Sequence, residues 1–438
     1  MLPKENALLL LNKISFFLLL SIFILIPFST YFYTLRFHFT FQYIYILFVL
    51  FLVILLFKIL LQKDFSFRQN PLFPLFLIWY SVILLSVLQS FFIPQNPSII
   101  RLSFLNYPFM KSYIRVLFIG SLILFSFFIA QTLATRKYFI ASLMVLCFTT
   151  TISCLLSLLA FAFSFTSFSF FEQLVVTEGS SLHRITGFLA EPGFFGAFLL
   201  ITISLSFFLY RDRKSLLWGY STLVQSITLI LTFSRAALLA FSFGIFFVCL
   251  FYLYFHKEKI VAFLKDKRML LFTLIFILFL LLALMFIAKT VVSNDMRWST
   301  LIRLENSIYA IEAFTEHPLL GIGYENFAFY SGYRYAPSIF GIPGIYPSIN
   351  NIILQVFTET GIIGAFIFFI LIYVSIKMIL KSLHEKKDWF YSIIFTGTSL
   401  FIQMLFFNLF SFIFLWVWVG LVLLTLEHKE ILNDNYQK

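Results

Sequence analysis

The stretch from Pro192 to Phe255, PGFFGAFLLITISLSFFLYRDRKSLLWGYSTLVQSITLILTFSRAALLAFSFGIFFVCLFYLYF, decides the class of fold. It contains three apolar runs, Pro192 to Tyr210, Ser215 to Phe233 and Ala236 to Phe255. Each is close to the ~20 residues that an α-helix needs to cross the hydrocarbon of a bilayer. Two very different joints separate them. The first carries Arg211, Arg213 and Lys214; the second is only Ser234 and Arg235. Lys and Arg are retained on the cytoplasmic side, so the first joint reads as inside and the second as outside. A turn that short holds Arg235 near the apolar boundary, an expensive place for a cation without a partner. The bland alternative is an anchor snorkelling to lipid headgroups.

Working outward, further runs of the same kind cover Ile14 to Leu35, Phe41 to Phe57, Pro71 to Ile93, Ser112 to Ala134, Tyr138 to Phe165, Met269 to Val291, Ile362 to Leu380, Trp389 to Phe407 and Phe412 to Leu426. The expectation is an all-α polytopic membrane protein of about twelve transmembrane helices, forming one integral membrane domain over residues 1–438. Composition agrees: 61% of the residues are hydrophobic and 11% charged, and the mean hydropathy is +0.99. A soluble domain has about a quarter of its residues charged. The 65 Phe residues read as apolar bulk rather than as a binding stripe.

Placing the N-terminus inside leaves most of the 31 Lys and Arg residues in cytoplasmic segments, including the clusters at 211–214, 257–268 and 377–387. Both termini are then expected in the cytoplasm of a multi-pass inner-membrane protein. The net charge of +12 is largely this topological signal, so no nucleic-acid partner is needed to explain it. The first span lacks a small-residue cleavage site and is expected to stay. Cys147, Cys154 and Cys249 fall within spans and read as small core residues rather than a disulfide or metal site. The six His residues show no metal-ligand spacing, and no metal or cofactor is expected.

With this topology three outer segments are long: Pro94 to Lys111, Ser164 to Glu191 and Thr290 to Asn351. Structureless loops of such length are usually functional or disordered, and the last is too apolar and aromatic for a linker. Within it, Met296 to Phe314 places Trp298, Leu301, Ile302, Ile308 and Ile311 as the apolar face of an amphipathic helix on the membrane surface. Pro318 should end that helix, Gly321 and Gly323 should form a tight turn, and the Pro- and Gly-punctuated stretch 335–348 should be an irregular loop.

Four segments in order carry a resemblance: HRITGFLAEPGFFG from His183, LTFSRAALLAF from Leu231, IRLENSIYAIEAFTEHPLLGIGYENF from Ile302 and NNIILQVFTETGIIG from Asn350. Together they resemble the O-antigen ligase and polymerase superfamily of bacterial envelope glycan assembly, over roughly Leu182 to Gly364. The resemblance implies a GT-C-like fold, a polyprenyl-diphosphate-linked oligosaccharide as substrate, membrane lipid as surroundings, and a chain-length regulator as one partner to look for. It places Arg184, Arg235 and Arg303 where the family has its lipid-diphosphate-binding arginines.

The chemistry of the residues is consistent with that. Transfer from a diphosphate to a sugar hydroxyl needs cations for the leaving group and a base for the hydroxyl. The planar, permanently charged fork of Arg grips phosphate oxygens in a bidentate manner. Glu191, ahead of Pro192 at a helix mouth, is the candidate base; its other reading is a helix cap. Catalytic roles are therefore expected for Glu191, Arg235 and Arg303, and substrate contacts for Arg184, His317, Arg334, Asn350 and Asn351. His317 also reads simply as the end of the surface helix, and Glu359 as part of the first turns of the tenth span.

Two details choose within the family. The ligase-like pattern has a His where this chain has Asn350, and an amide cannot take up a proton as imidazole does. The Glu-Pro-Gly at 191–193 is similar to polymerase relatives, whereas ligases more often have Pro-Asn there. The expected function is polymerisation of lipid-linked repeat units on the extracytoplasmic face. Ligation of the glycan to lipid A-core or another acceptor is the alternative from the same chemistry. A glycan or lipid flippase is the alternative from another class, although its charges would line a central path rather than gather at one face.

Overall fold

The computed structural model describes residues 4–28, 43–62, 70–90, 92, 108–165, 174–178, 182–189, 191–255, 294–328, 330, 349–383 and 387–432. The expected ninth span, Met269 to Val291, and the loop 335–348 lie outside these residues. Twelve α-helices are present among those described. They are α1 (Lys4–Leu25), α2 (Tyr43–Gln62), α3 (Leu72–Gln89), α4 (Pro108–Thr132), α5 (Arg136–Phe163), α6 (Pro192–Arg213), α7 (Leu216–Leu231), α8 (Arg235–Phe255), α9 (Asn294–Glu316), α10 (Ile352–Leu383), α11 (Lys387–Met404) and α12 (Ile413–Glu427). Seven helical stretches are long and apolar enough to cross a membrane, and three more apolar helices are shorter. The protein is a polytopic membrane protein.

The chain divides into two compact units. Unit 1 comprises Met1–Val145, Leu301–Lys386 and Met404–Lys438; unit 2 comprises Leu146–Thr300 and Lys387–Gln403.

In unit 2 the helix α6 is central, packing against α7 and α8. Its apolar window is 83% buried, as expected of a helix that is hydrophobic on every face. The sequence sets its ends. Glu191 is extended (φ −132°, ψ 139°), Pro192 takes the first helical position, and Lys214 closes the C-terminus in the left-handed region with its N–H on the Tyr210 carbonyl at 2.9 Å. Polar side chains within the unit pair with one another. Gln225 Nε2 donates to Ser206 Oγ (3.1 Å), Ser221 Oγ (3.0 Å) and Thr151 Oγ1 (3.2 Å), and Ser204 and Ser392 exchange hydroxyl-to-carbonyl bonds at 3.2 and 3.1 Å. Between α5 and α6 runs an antiparallel hairpin, β1 (Val175–Glu178) with β2 (Leu182–Ile185), which pairs Val176 with Arg184. It is the departure from an all-helical chain among the described residues.

In unit 1, α4 packs on α12, α3 on α10, and α1 on α2. One end of the unit is tied by Asn70 Nδ2 donating to Glu427 at 2.5 Å and by the Arg136 guanidinium on the Ile431 carbonyl at 3.0 Å. At the other end α10 is interrupted. Gly361 has φ 66° and ψ −170°, so α10 is two helical pieces joined at a break. Non-helical backbone at membrane depth is tolerated only where protein or a wet cavity satisfies it. Here the segment 318–323 does so. Ile322 N–H bonds the Thr358 carbonyl (2.9 Å), Gly323 N–H the Glu359 carbonyl (3.1 Å), and Ile362 N–H the Pro318 carbonyl (2.8 Å).

Three expectations change. α1 begins at Lys4 and its apolar stretch starts at Leu8, so Lys13 lies inside it; the apolar Leu8 to Leu11 outweigh one exposed Lys, and the expected continuation from 29 to 35 lies outside the described residues. α10 starts at Ile352 rather than Ile362 because the helix resumes across Gly361. α9 is present and ends before His317 and Pro318, and the face it packs into the protein is a mixed one that the apolar periodicity did not single out. Ile311 is 52% exposed, while Glu305, Asn306, Tyr309, Ala310 and Ala313 are buried. Small Ala310 and Ala313 allow close packing with Ile322, Phe327, Tyr330 and Ile349, and Thr358 Oγ1 donates to the Ala310 carbonyl at 2.9 Å. Cys147 and Cys154 are buried free thiols, and Cys249 is exposed.

The crossing of the two segments is glycine-dependent at both sides. Gly321 has φ 69°, and a Cβ there would stand 2.5 Å from the Glu359 carbonyl carbon; one at Gly361 would collide with the Leu319 carbonyl oxygen. Left-handed backbone costs an L-residue about 1–2 kcal/mol before any collision is counted. Gly361→Ala and Gly321→Ala should each lower the melting temperature of the detergent-purified protein by several degrees, more than Gly219→Ala on α7, where the nearest atom to a Cβ is at 3.4 Å. Equal melting temperatures would show that the crossing is not a stability determinant.

Candidate functional site

Arg184 lies on β2 and is half-buried, and its Nε donates to the Thr232 carbonyl at 3.1 Å. Thr232 ends α7, so the guanidinium takes up a carbonyl that the helix terminus leaves over. The next residues turn sharply. Phe233 adopts φ 45°, Ser234 receives the Thr232 hydroxyl oxygen on its N–H (3.2 Å), and Ser234 Oγ accepts from the Ala237 N–H at 3.4 Å as α8 begins. Arg235 is the first residue of α8 and half-buried. The turn expected from its two-helix joint is therefore present, and it brings Arg184 to the peptide groups just ahead of Arg235.

The same end of unit 2 holds Glu191. A Cβ added at Gly196, in the second turn of α6, would stand 2.5 Å from the Ala237 Cβ, so the N-terminal turns of α6 and α8 lie side by side. Gln403 Nε2 donates to the Gly193 carbonyl at 3.0 Å and fixes the start of α6 from α11. Glu191 is exposed, and its side chain makes no capping hydrogen bond; at the N-cap position its charge still complements the dipole of α6. Arg184, Arg235 and Glu191 thus belong to segments that meet at two helix N-termini, where the first N–H groups carry partial positive charge. The arrangement suits an anion flanked by a carboxylate.

The remaining candidates belong to unit 1. Arg303, on α9, lies over the Phe407 ring with 4.9 Å to its centroid. Two residues on, Glu305 is fully buried and accepts from Tyr309 Oη at 2.6 Å. His317 is half-buried with its ring edge-on to Tyr330, and Tyr330 Oη donates to Glu316. Asn351 is the cap of α10: its Oδ1 accepts from the N–H groups of Ile353 (2.9 Å) and Leu354 (3.1 Å). Asn350 precedes it, half-buried. Arg334 lies outside the described residues.

Residues that sequence reasoning passed over surround the break in α10. Glu359 is buried, accepts from Gln355 Nε2 at 3.0 Å, and receives the backbone N–H groups of Glu325 and Phe327. It staples the turn 323–327 to α10. Tyr324 sits in that turn, fully buried, and burial together with the carboxylates of Glu325 and Glu359 pushes its phenol well above the usual range. It stays a hydrogen-bond donor at any physiological pH. The available signal was Glu359 itself, an ionisable residue in an apolar helix next to a glycine.

These features define a polytopic membrane protein with a cation-bearing pair of helix termini. Residues 220–369 match the family model described as O-antigen ligase, Wzy_C, a segment that runs from α7 through the Arg235 turn and α9 into α10. No curated protein matches the chain.

The capping of α10 separates a structural from a binding role at one position. Asn351→Ala should cost about 0.5–2 kcal/mol of stability, whereas Asn351→Ser or Asn351→Asp should restore it. Thermal melting compared with glycan synthesis in cells checks this. Loss of synthesis in the Ser and Asp variants at normal stability would mean that the amide also meets substrate.

Proposed function

We propose that this protein is the O-antigen or exopolysaccharide polymerase of a bacterial inner membrane, joining polyprenyl-diphosphate-linked glycan units on the extracytoplasmic face, with both termini cytoplasmic. The observation that carries the reading is the Arg184 contact with Thr232 beside Arg235, at the paired N-termini of α6 and α8. The Wzy_C match covers that turn, and members of that family transfer lipid-linked glycans.

In the proposed reaction the diphosphate of the donor lipid is gripped by Arg184 and Arg235 and by helix N–H groups. The hydroxyl oxygen of the incoming unit attacks the anomeric carbon from the opposite face, the bond from that carbon to the diphosphate oxygen breaks, and configuration inverts. The electron pair leaves with polyprenyl diphosphate, whose charge the arginines stabilise as it develops. The hydroxyl proton passes to Glu191. Since the leaving group departs readily, the scheme assigns no general acid and no metal to the step. Arg303 is proposed as a further substrate-binding cation in unit 1. The choice of polymerase over ligase rests on Asn350, which cannot serve as a proton acceptor where the ligase-like pattern has His.

The surface glycans and lipid-linked precursors of a deletion strain test this. Loss of the ladder of long chains, with single units still reaching the surface, is the expected result. Long chains stranded on polyprenyl diphosphate would instead make the protein a ligase. In complementation, Arg184→Ala and Arg235→Ala should lower ladder synthesis by at least about a hundredfold at normal protein abundance. Arg235→Lys should recover little of it, because a point charge does not replace the fork. Full activity of all these variants, with Glu191→Gln, would remove the mechanism.

A further inference from the structure

The turn that Glu359 holds against α10 carries a group of polar residues that the diphosphate site does not use. Glu325 has φ 58° and is one of three non-glycine residues with positive φ among those described. The other two, Lys214 and Phe233, close helices, whereas Glu325 is held in place through its N–H on the Glu359 carboxylate. A left-handed glutamate in a turn is a strained choice where Gly or Asn would serve, and such strain gathers at functional positions. Beside it the Tyr324 hydroxyl is buried with no hydrogen-bond partner, an expensive state for a donor. Arg115, half-buried near the start of α4, acts on the same phenol electrostatically, as do Glu325 and Glu359.

Charge decides what such a group can bind. Among the described residues it holds one guanidinium and two carboxylates, whose sum is not positive whichever protonation state Glu359 takes. A diphosphate is not attracted there. A polyol is: a carboxylate accepts from sugar hydroxyls, a guanidinium donates to them, and a protonated phenol supplies one further donor. We propose that Arg115, Tyr324 and Glu325 form a glycan-hydroxyl site in unit 1, which reads the sugar of the lipid-linked substrate and not its diphosphate. Glu359 and Gln355 are positioning residues for it, because they hold the turn that carries Tyr324 and Glu325. The proposal rests on the glycan-transfer reading above, and it assigns recognition of sugar and of phosphate to different residues.

The test uses the full chain in lipid nanodiscs and two probes: glycan-free undecaprenyl diphosphate, and the lipid-linked repeat unit extracted from the deletion strain. Tyr324→Phe keeps the ring and deletes the hydroxyl; Glu325→Asn removes the charge with a residue that tolerates the left-handed region. Both variants should bind the glycan-free lipid as the wild type does and the glycan-bearing lipid about tenfold more weakly. Arg184→Ala and Arg235→Ala should weaken both probes. Equal loss of both probes in the Tyr324 and Glu325 variants would reduce the turn to a structural element. Undiminished glycan binding in Tyr324→Phe, with the arginine variants impaired, would overturn this site while leaving the transfer reading intact. A wild type that binds neither lipid would sink both. If Glu325→Asn does not fold, Tyr324→Phe alone decides.

Discussion

Backbone polar groups of an apolar, membrane-spanning type of helix must find partners in the protein, and the break at Gly361 in α10 leaves several such groups to be satisfied at once. The rest of unit 1 is arranged around that constraint. Backbone from Pro318 to Gly323 supplies the missing partners, and it can come close enough only because Gly321 and Gly361 have no side chains. That approach in turn fixes where α9 must end, and the Thr358 hydroxyl bonded to Ala310 locks α9 to the same place. Glu359 completes the crossing by taking the N–H groups of the following turn. A continuous helix would need none of this, so the break marks a region where backbone has been exchanged for a specific surface.

Unit 2 meets the same constraint differently. Its central helix α6 is unbroken, and among the described residues of the unit irregular backbone lies at the ends of α7 and the approach to α6. There the leftover carbonyl of Thr232 is taken by Arg184, so one cation already has a partial partner in the protein. A guanidinium has five donors, and the one given to this carbonyl fixes the plane of the fork. A structural contact of this kind is compatible with the binding role proposed for Arg184, since a cation near an apolar boundary needs something to hold it.

Much of this was visible in the sequence, and what was hidden was hidden for physical reasons. Helix ends marked by Pro192 and Pro318 were legible because proline constrains backbone whatever surrounds it. The turn at Gly321 and Gly323 was legible for the same reason, with φ of 69° and 95° in the structure. The buried face of α9 was not. Periodicity separates core from water, but beside a membrane the apolar side of a helix can face lipid, and the packed side can consist of Ala, Tyr and Glu. The interruption of α10 was invisible because a glycine in an apolar run is compatible with a continuous helix; only its partner segment, some forty residues earlier, gives it meaning. The hairpin that carries Arg184 was read only as part of a long outer segment, since two short strands give little alternation to detect.

The Asn pair at 350 and 351 shows how the structure narrows the chemistry. Asn351 spends its side-chain oxygen on the first turn of α10, whereas the helix cap assigns no role to Asn350. An amide there can orient a hydroxyl but cannot remove its proton, which leaves carboxylates as acceptors. Among the described residues Glu305 and Glu359 are buried and already bonded, and Glu316 is engaged by Tyr330. The base proposed above, Glu191, is exposed at the start of α6. A carboxylate is a weak base for a sugar hydroxyl, but when diphosphate departs readily the attacking oxygen needs its proton removed late. In the mechanism proposed above, transfer then depends chiefly on how firmly the leaving group is held, which gives the paired helix ends and their two arginines, rather than the base, the larger share of the rate.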